Sequence, residues 1–335
     1  MATIWDVAKL AGVSKSTVSR VMNNGSSSDE ARKAVQDAIK KLNYQPSCFA
    51  KNIRTQKSMT IALMIPDASN FFYTEMFKAI EQVAYDREYM VILCDTQNST
   101  DAEIEYAEKL LQRRIDGLIY CTYKMDRIAQ NYFLSLSRKL PIVFADHSFR
   151  MYDDISLVAT EGYSSSRSAA RFLYHKGCRH IAYINFPKDV HVTYHRYEGY
   201  LKGLEDCGLA SKPELVYFPP SERVMSARDM GFNGAKHLLS SGAELDAIMT
   251  AADPIAMGAI KYLKQQGLHV PRDIRIIGFD NNEFCEVVDP MLTTIAQPIS
   301  KIGTTAARIL FSKIAGNTTE ERVFFDGELI QRDST

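Results

Sequence analysis

The feature that most restricts how this chain can fold is a twice-repeated alternation of short, continuously apolar runs with longer amphipathic stretches. MTIALMI (59–65), YMVILC (89–94), GLIY (117–120) and PIVFA (141–145) form the first set, with stretches such as FKAIEQVAYDRE and AEIEYAEKLLQRR between them. HIAYI (180–184), LVYF (215–218), AIMT (247–250) and IRIIGF (274–279) form the second. A strand with one face in water alternates polar and apolar residues, whereas a run that is apolar throughout needs cover on both faces. Such strands separated by helices predict parallel sheets with helices on either side, and two sets predict two doubly wound subdomains. Ligands of such sheets sit beyond the carboxyl ends of the strands, so a cleft between the halves is the expected binding site. The 335 residues suffice for two or three domains, and 46% hydrophobic with 24% charged residues suits a chain that buries a large core.

The first 58 residues differ in kind. Basic and acidic side chains balance overall at 40 each, but residues 1–58 hold ten basic against four acidic, which leaves 30 against 36 in the rest. A small basic segment on an acidic body is the pattern of a phosphate-binding module joined to another kind of domain. Thr3 and Asp6 have capping-box spacing ahead of Ile4, Val7, Ala8 and Ala11, which lie along one helical face. Gly12 permits a sharp turn, and Ser14 can cap a second helix from Lys15 to about Asn23. A third is predicted from Ser27, with Glu30 completing a capping box and Val35, Ile39 and Leu42 buried, until Asn43 and Pro46 stop it. Two helices crossed through a tight turn make a helix-turn-helix, whose second helix enters the major groove. With Val18 and Val21 turned to the core, Lys15, Ser16, Thr17, Ser19 and Arg20 face outward. There cations can reach guanine edges, and hydroxyls can hold phosphates.

TIWDVAKLAGVSKSTVSRVMN followed by KKLNYQP resembles the N-terminal signature of the LacI/GalR family of bacterial transcriptional repressors. The resemblance implies that Lys15, Ser16 and Arg20 read bases and that Ser14, Thr17, Ser19 and Asn23 contact phosphates. Residues 47–58, SCFAKNIRTQKS, have the composition of a linker. The resemblance makes them a hinge helix that folds on operator DNA and pushes an apolar side chain, here Ile53, into the minor groove. Ile53 stands where the family usually has Leu, and Cys48 where a basic residue is common. In the body, NFFYTEMFKAIEQVA, RRIDGLIY, RYEGYLKGLEDCGL, AADPIAMGAI, IIGFDNNEF, LTTIAQPISKIG and GELIQRDST are similar to the family in order and spacing. The resemblance therefore implies a DNA-binding domain at 1–46, a hinge at 47–58 and a periplasmic-binding-protein-like core at 59–335 for effector binding and dimerisation. Within that core the first subdomain is expected at about 59–160 and 290–322, the second at about 161–289 and 323–335, with crossings near 160, 290 and 322.

Matching motif by motif places Phe72, Tyr73, Tyr123 and Asp146 on one wall of the cleft and Arg196, Asp280 and Gln297 on the other. A carboxylate and a guanidinium can grip adjacent hydroxyls while aromatic rings cover C–H faces, so a sugar is the expected effector. His147, beside Asp146, could stack on a base, which keeps a purine-like corepressor or a phosphorylated protein partner as the alternative. Ala252 stands where many members have Asn, and Thr160-Glu161 where Asp-Asn is usual.

Nothing in the sequence points to an enzyme or a cofactor. No GxGxxG or Walker loop follows a strand, and the closest histidine pair, His191 and His195, lies in VHVTYHRY without a helix signal. Cys48, Cys94, Cys121, Cys178, Cys207 and Cys285 include no CxxC pair and read as reduced thiols. No apolar run approaches the roughly 18 to 20 residues of a membrane span, so a cytoplasmic, nucleoid-associated protein is expected. GELIQRDST offers no leucine heptad, which favours a homodimer on double-stranded operator DNA.

Overall fold

The computed structural model describes residues 2–22, 25–44, 57–122, 126–145, 152–188, 190, 193–221 and 225–335. The expectations for Asn23, Ile53, Tyr123, Asp146 and His147 lie outside the described residues. The chain divides into two units, Met1–Ser58 and Met59–Thr335.

In the smaller unit α1 (Ile4–Ala11), α2 (Lys15–Met22) and α3 (Asp29–Leu42) enclose Val7, Ala8, Val18, Val21, Val35 and Ala38. The Thr3 capping box forms as its spacing predicts: Thr3 N donates to Asp6 Oδ2 at 2.8 Å and Asp6 N to Thr3 Oγ1 at 3.4 Å. Gly12 closes α1 at φ 66°, in the left-handed region that glycine enters without steric cost. The third helix departs from expectation. Its N-cap is Ser28, accepting from Ala31 N at 3.3 Å, while Ser27 Oγ is buried without a hydrogen-bond partner. Starting one residue later moves Glu30 off the capping-box position and sets Asp29 and Glu30 in the first turn, beside the positive end of the helix. On the inner face Ala38 is buried, and Ile39 and Leu42 pack only partly.

From Met59 the larger unit runs β1 (Thr60–Ile65), α4 (Phe71–Tyr85), β2 (Met90–Asp95), α5 (Thr100–Gln112), β3 (Gly117–Tyr120), α6 (Arg127–Leu136), β4 (Ile142–Ala145) and β5 (Leu157–Glu161). It continues through α7 (Gly162–His175), β6 (Ile181–Ile184), α8 (Tyr194–Asp206), β7 (Val216–Tyr217), α9 (Ala227–Ser240), β8 (Ala247–Thr250), α10 (Asp253–Gln265) and β9 (Arg275–Asp280). Last come β10 (Thr293–Ala296), α11 (Ile299–Ile314), β11 (Arg322–Asp326) and β12 (Glu328–Ile330). Two six-stranded sheets result, ordered β11-β5-β4-β3-β1-β2 and β12-β10-β9-β8-β6-β7. Every pairing is parallel except β10 with β12. Strand β1 shows why its sequence is apolar throughout. Ile61, Leu63 and Ile65 pack with Phe72, Met76 and Ile80 of α4 and Ile302 and Leu310 of α11. On the other face Ala62 and Met64 pack with Leu110 of α5 and Phe133 of α6.

The crossings between lobes differ from two of the expected positions. The first follows Glu161, close to expectation, because β5 is in the first sheet and α7 packs in the second lobe's core. The second falls between β10 and α11, at Gln297-Pro298, and not near 290. The third follows Asp326 and not 322, because β11 pairs with β5 in the register Asp326 to Glu161. The physical reason is that β10 is a strand whose polar side chains are satisfied inside. Thr293 Oγ1 donates to the Arg332 carbonyl at 3.1 Å and Thr294 Oγ1 to Asp253 Oδ1 at 2.5 Å, so two buried threonines join the second sheet without any apolar pattern to announce them.

Candidate functional site

On the head, the burial of Val18 and Val21 fixes the outer face of α2, leaving Ser14, Lys15, Ser16 and Arg20 exposed and Thr17 and Ser19 half-buried. Ser14 caps the helix by accepting from Thr17 N at 3.1 Å, and its hydroxyl also meets those of Ser16 at 2.7 Å and Thr17 at 2.9 Å. These hydroxyls cluster at the helix N-terminus, where backbone amides and the helix dipole favour an anion such as phosphate. Arg20 carries the exposed charge toward the other end of the helix, and its carbonyl accepts from Gly25 N at 2.8 Å. Sequence reasoning overlooked Trp5. It is 66% exposed, and Lys15 Nζ lies 5.1 Å from its ring centroid, so an indole stands next to a side chain expected to read bases. The signal available was its place on α1, off the face that Val7 and Ala8 bury.

In the second lobe a polar cluster gathers at the carboxyl ends of β8, β9 and β10. Arg196, in the first turn of α8, is buried with its guanidinium 3.8 Å from the Phe279 ring centroid. Its Nη1 donates to the carbonyl of Ala251, just past β8, at 2.6 Å and reaches Asp280 Oδ1 at 3.5 Å. Asp280 ends β9, and the same Oδ1 accepts from Gln297 Nε2 at 2.6 Å. Gln297 Oε1 is buried with no hydrogen-bond partner. A charge-assisted bond is normally about 2.7 to 2.9 Å long, so at 3.5 Å Arg196 and Asp280 are neighbours without a short ion pair, and each keeps hydrogen-bonding capacity for a third group. Burial pushes the Asp280 carboxyl above the ordinary carboxylate range, against the pull of Arg196 and Gln297. Asp253, buried behind it, is pushed up by its own burial and then by the Asp280 charge.

The structure thus brings together Arg196, Asp280 and Gln297, which are far apart in sequence. It places Phe72 and Tyr73 differently from an open cleft wall: both are buried in the first lobe's core, ring to ring at 5.1 Å. Helical periodicity explains this, since Phe72, Tyr73, Met76, Ile80, Val83 and Ala84 make the face of α4 turned inward. At the start of α4 the aromatic left half open is Phe71, which meets Phe284 of the second lobe edge to face at 5.1 Å and 84°. Both rings are 42% exposed, so this pair bridges the lobes where sequence reasoning had put its neighbours. His195 has joined α8 and sits 3.0 Å from Glu198 Oε2, while His191 lies outside the described residues. Among the described residues no group of three or more His, Cys, Asp or Glu could hold a metal ion, and no helix is long and apolar enough to cross a membrane.

Residues 3–47 match the bacterial regulatory proteins of the lacI family, and residues 170–335 match the periplasmic binding protein-like domain. The HTH-type transcriptional regulator RegA of Clostridium saccharobutylicum is 34% identical over 340 residues, covering all of both chains. The ribose operon repressor of Halalkalibacterium halodurans is 35% identical over 337 residues, covering all of this chain and 97% of that one. The crystal structure of the lac repressor dimer bound to operator and the anti-inducer ONPF aligns at a TM-score of 0.89 and 26% identity, over all of this chain and 99% of that one. Helix-turn-helix head, paired parallel sheets and end-to-end relatives agree: the chain belongs to the lacI family of bacterial regulatory proteins, the DNA-binding transcriptional repressors.

Proposed function

We propose that this protein is a homodimeric operator-binding repressor whose DNA affinity is set by a sugar held at the carboxyl ends of β8, β9 and β10, facing the first lobe. The observation that carries the reading is the buried cluster of Arg196, Asp280 and Gln297 with its unpaired Gln297 Oε1. Vicinal hydroxyls supply what these groups lack: a hydroxyl can donate to Gln297 Oε1 or Asp280 while accepting from the guanidinium. The name of the ribose operon repressor supports the same ligand class. In this reading Tyr123, Asp146 and His147 complete the opposite wall, Asn23 and Ile53 act at the DNA, and the protein works in the cytoplasm at the nucleoid without catalysing a reaction.

The test is thermal stability of the full chain with D-ribose, other sugars, sugar phosphates, nucleosides and purines. A binder present at 100 times its dissociation constant adds about 2.7 kcal/mol. Sugars are expected to stabilise. If purines alone do so, the corepressor reading replaces this one; if nothing does, control passes to a protein partner.

The head has its own reporter, because Trp5 is the only tryptophan in the chain. Its emission is expected to change on titration with duplex DNA and to stay constant with the sugar that stabilises the body. An emission unchanged by DNA that demonstrably binds would place the interface away from α1 and Lys15. Arg20→Ala is expected to weaken operator binding by about 1 to 3 kcal/mol with little effect on random duplex, as loss of a base-edge contact would. Equal losses on both duplexes would assign Arg20 to phosphate instead.

A further inference from the structure

Asp253 is fully buried at the start of α10, and both of its oxygens are hydrogen-bonded. Oδ1 accepts from Thr294 Oγ1 at 2.5 Å, and Oδ2 accepts from the backbone N–H of Asn282 at 2.9 Å. Thr294 Oγ1 in turn accepts from the N–H of Asn281 at 3.3 Å, and Arg332 Nη2 donates to Asn281 Oδ1 at 2.9 Å from the outer side. Space for this carboxylate exists only because β9 has a glycine at 278: a Cβ there would lie 2.1 Å from Asp253 Oδ1. The segment so held is unusual. Asp280 and Asn281 have φ of 115° and 57°, in the region that side-chain-bearing residues enter at a cost and that persists only when the surroundings impose it. What imposes it here is a carboxylate contributed from 27 residues upstream of Asp280, bonded to the turn directly at Asn282 and through Thr294 at Asn281. The result of that conformation is the direction of the Asp280 side chain, whose Oδ1 lies between Arg196 Nη1 and Gln297 Nε2.

We propose that Asp253 is the positioning residue of the effector site: through the bonds it controls at the N–H groups of 281 and 282, it holds Asp280 and Asn281 at positive φ and aims Asp280 at Arg196, Gln297 and the ligand. The proposal rests on the reading of Asp280 as an effector contact, but its core, a turn held by one buried carboxylate, stands on geometry alone. It also accounts for the pairing of Gly278, which leaves the space, with the buried acid that fills it. Substitution chemistry follows. An asparagine at 253 can still offer one oxygen to the Asn282 N–H and turn its amide toward Thr294, whose hydroxyl can accept; an alanine can offer neither.

The experiment uses the full chain and two readouts. Amide exchange of the peptide spanning 279–285 is expected to rise at least tenfold in Asp253→Ala, with peptides of β1 to β4 unchanged, and to return to within about threefold of wild type in Asp253→Asn. Where Asp253→Ala does not fold, Thr294→Val removes the bridging hydroxyl alone and is expected to raise exchange of the same peptide at least threefold. Calorimetric titration with D-ribose is the second readout, and the affinity is expected to fall at least thirtyfold in Asp253→Ala and to recover in Asp253→Asn. Wild-type exchange at 279–285 in a folded Asp253→Ala, or in Thr294→Val, overturns the proposal. Faster exchange in the variants with no ribose binding by the wild type overturns the ribose reading and leaves the positioning role supported.

Discussion

Replacing Gly258 with alanine is expected to destabilise the second lobe by about 3 kcal/mol or more, at the upper end of what an inserted methyl costs in a packed interior. A Cβ at 258 would lie 1.9 Å from the carbonyl oxygen of Arg228, 2.8 Å from its carbon and 2.9 Å from Phe232 N, all of them backbone atoms of α9. Side chains can rotate away from an intruding methyl; a helix backbone has to translate as a whole. The approach is mutual, since a Cβ on Gly231 of α9 would lie 1.8 Å from the Ile255 carbonyl of α10. Separating the helices would also disturb Ala251 and Asp253 at the start of α10, and through them the polar cluster. For a lobe of this size roughly 2 to 4 °C is lost per kcal/mol, so calorimetry should show the second lobe's transition about 6 to 12 °C lower. A transition within a degree of wild type would mean that α9 and α10 are not in backbone contact.

The second large effect is expected at Asp280. Asp280→Ala should leave operator binding near wild type and abolish the response to ligand, with a ligand-binding loss of about 2 to 5 kcal/mol, because the partners Arg196 and Gln297 stay buried after their acceptor has gone. A ligand shifts a switch only through its different affinity for the two states, so a site that no longer grips its ligand has no means of moving the head. Operator binding titrated with the stabilising sugar is the measurement, and a variant that still responds at the wild-type concentration would move the effector elsewhere.

The same carboxyl links stability to pH. Its value is raised in the folded chain, so the native state holds the proton more tightly than the unfolded one, and stability falls as pH climbs from the ordinary carboxyl range near about 4 through the raised folded value. Asp253 contributes with the same sign. Asp280→Asn should therefore flatten the decline of melting temperature with rising pH over that interval, while ligand affinity in the wild type should weaken as pH falls and Asp280 takes up its proton.

Some of this was written in short stretches of sequence. The Thr3 capping box, the left-handed Gly12, the Ser14 cap and the burial of Val18 and Val21 each depend on residues within a few positions of one another, and the chemistry of a helix start is local. The eight apolar runs likewise announced parallel strands, because a strand covered on both faces must be apolar whatever covers it. The rest depended on partners that local pattern cannot name. Strand β10 hides two threonines that are tolerable inside only because Asp253 and the Arg332 carbonyl meet their hydroxyls. Resemblance pointed to Phe72 and Tyr73 for the cleft, but the docking of α4 on its sheet buried both and left Phe71 to meet Phe284. Arg196 and Asp280 lie 84 residues apart, and Asp253 and Thr294 41. Residue types set which bonds these groups can form; the folding of the second sheet decided which of them are close enough to form and dry enough to matter, because a polar group gains most from its partner where water cannot replace it.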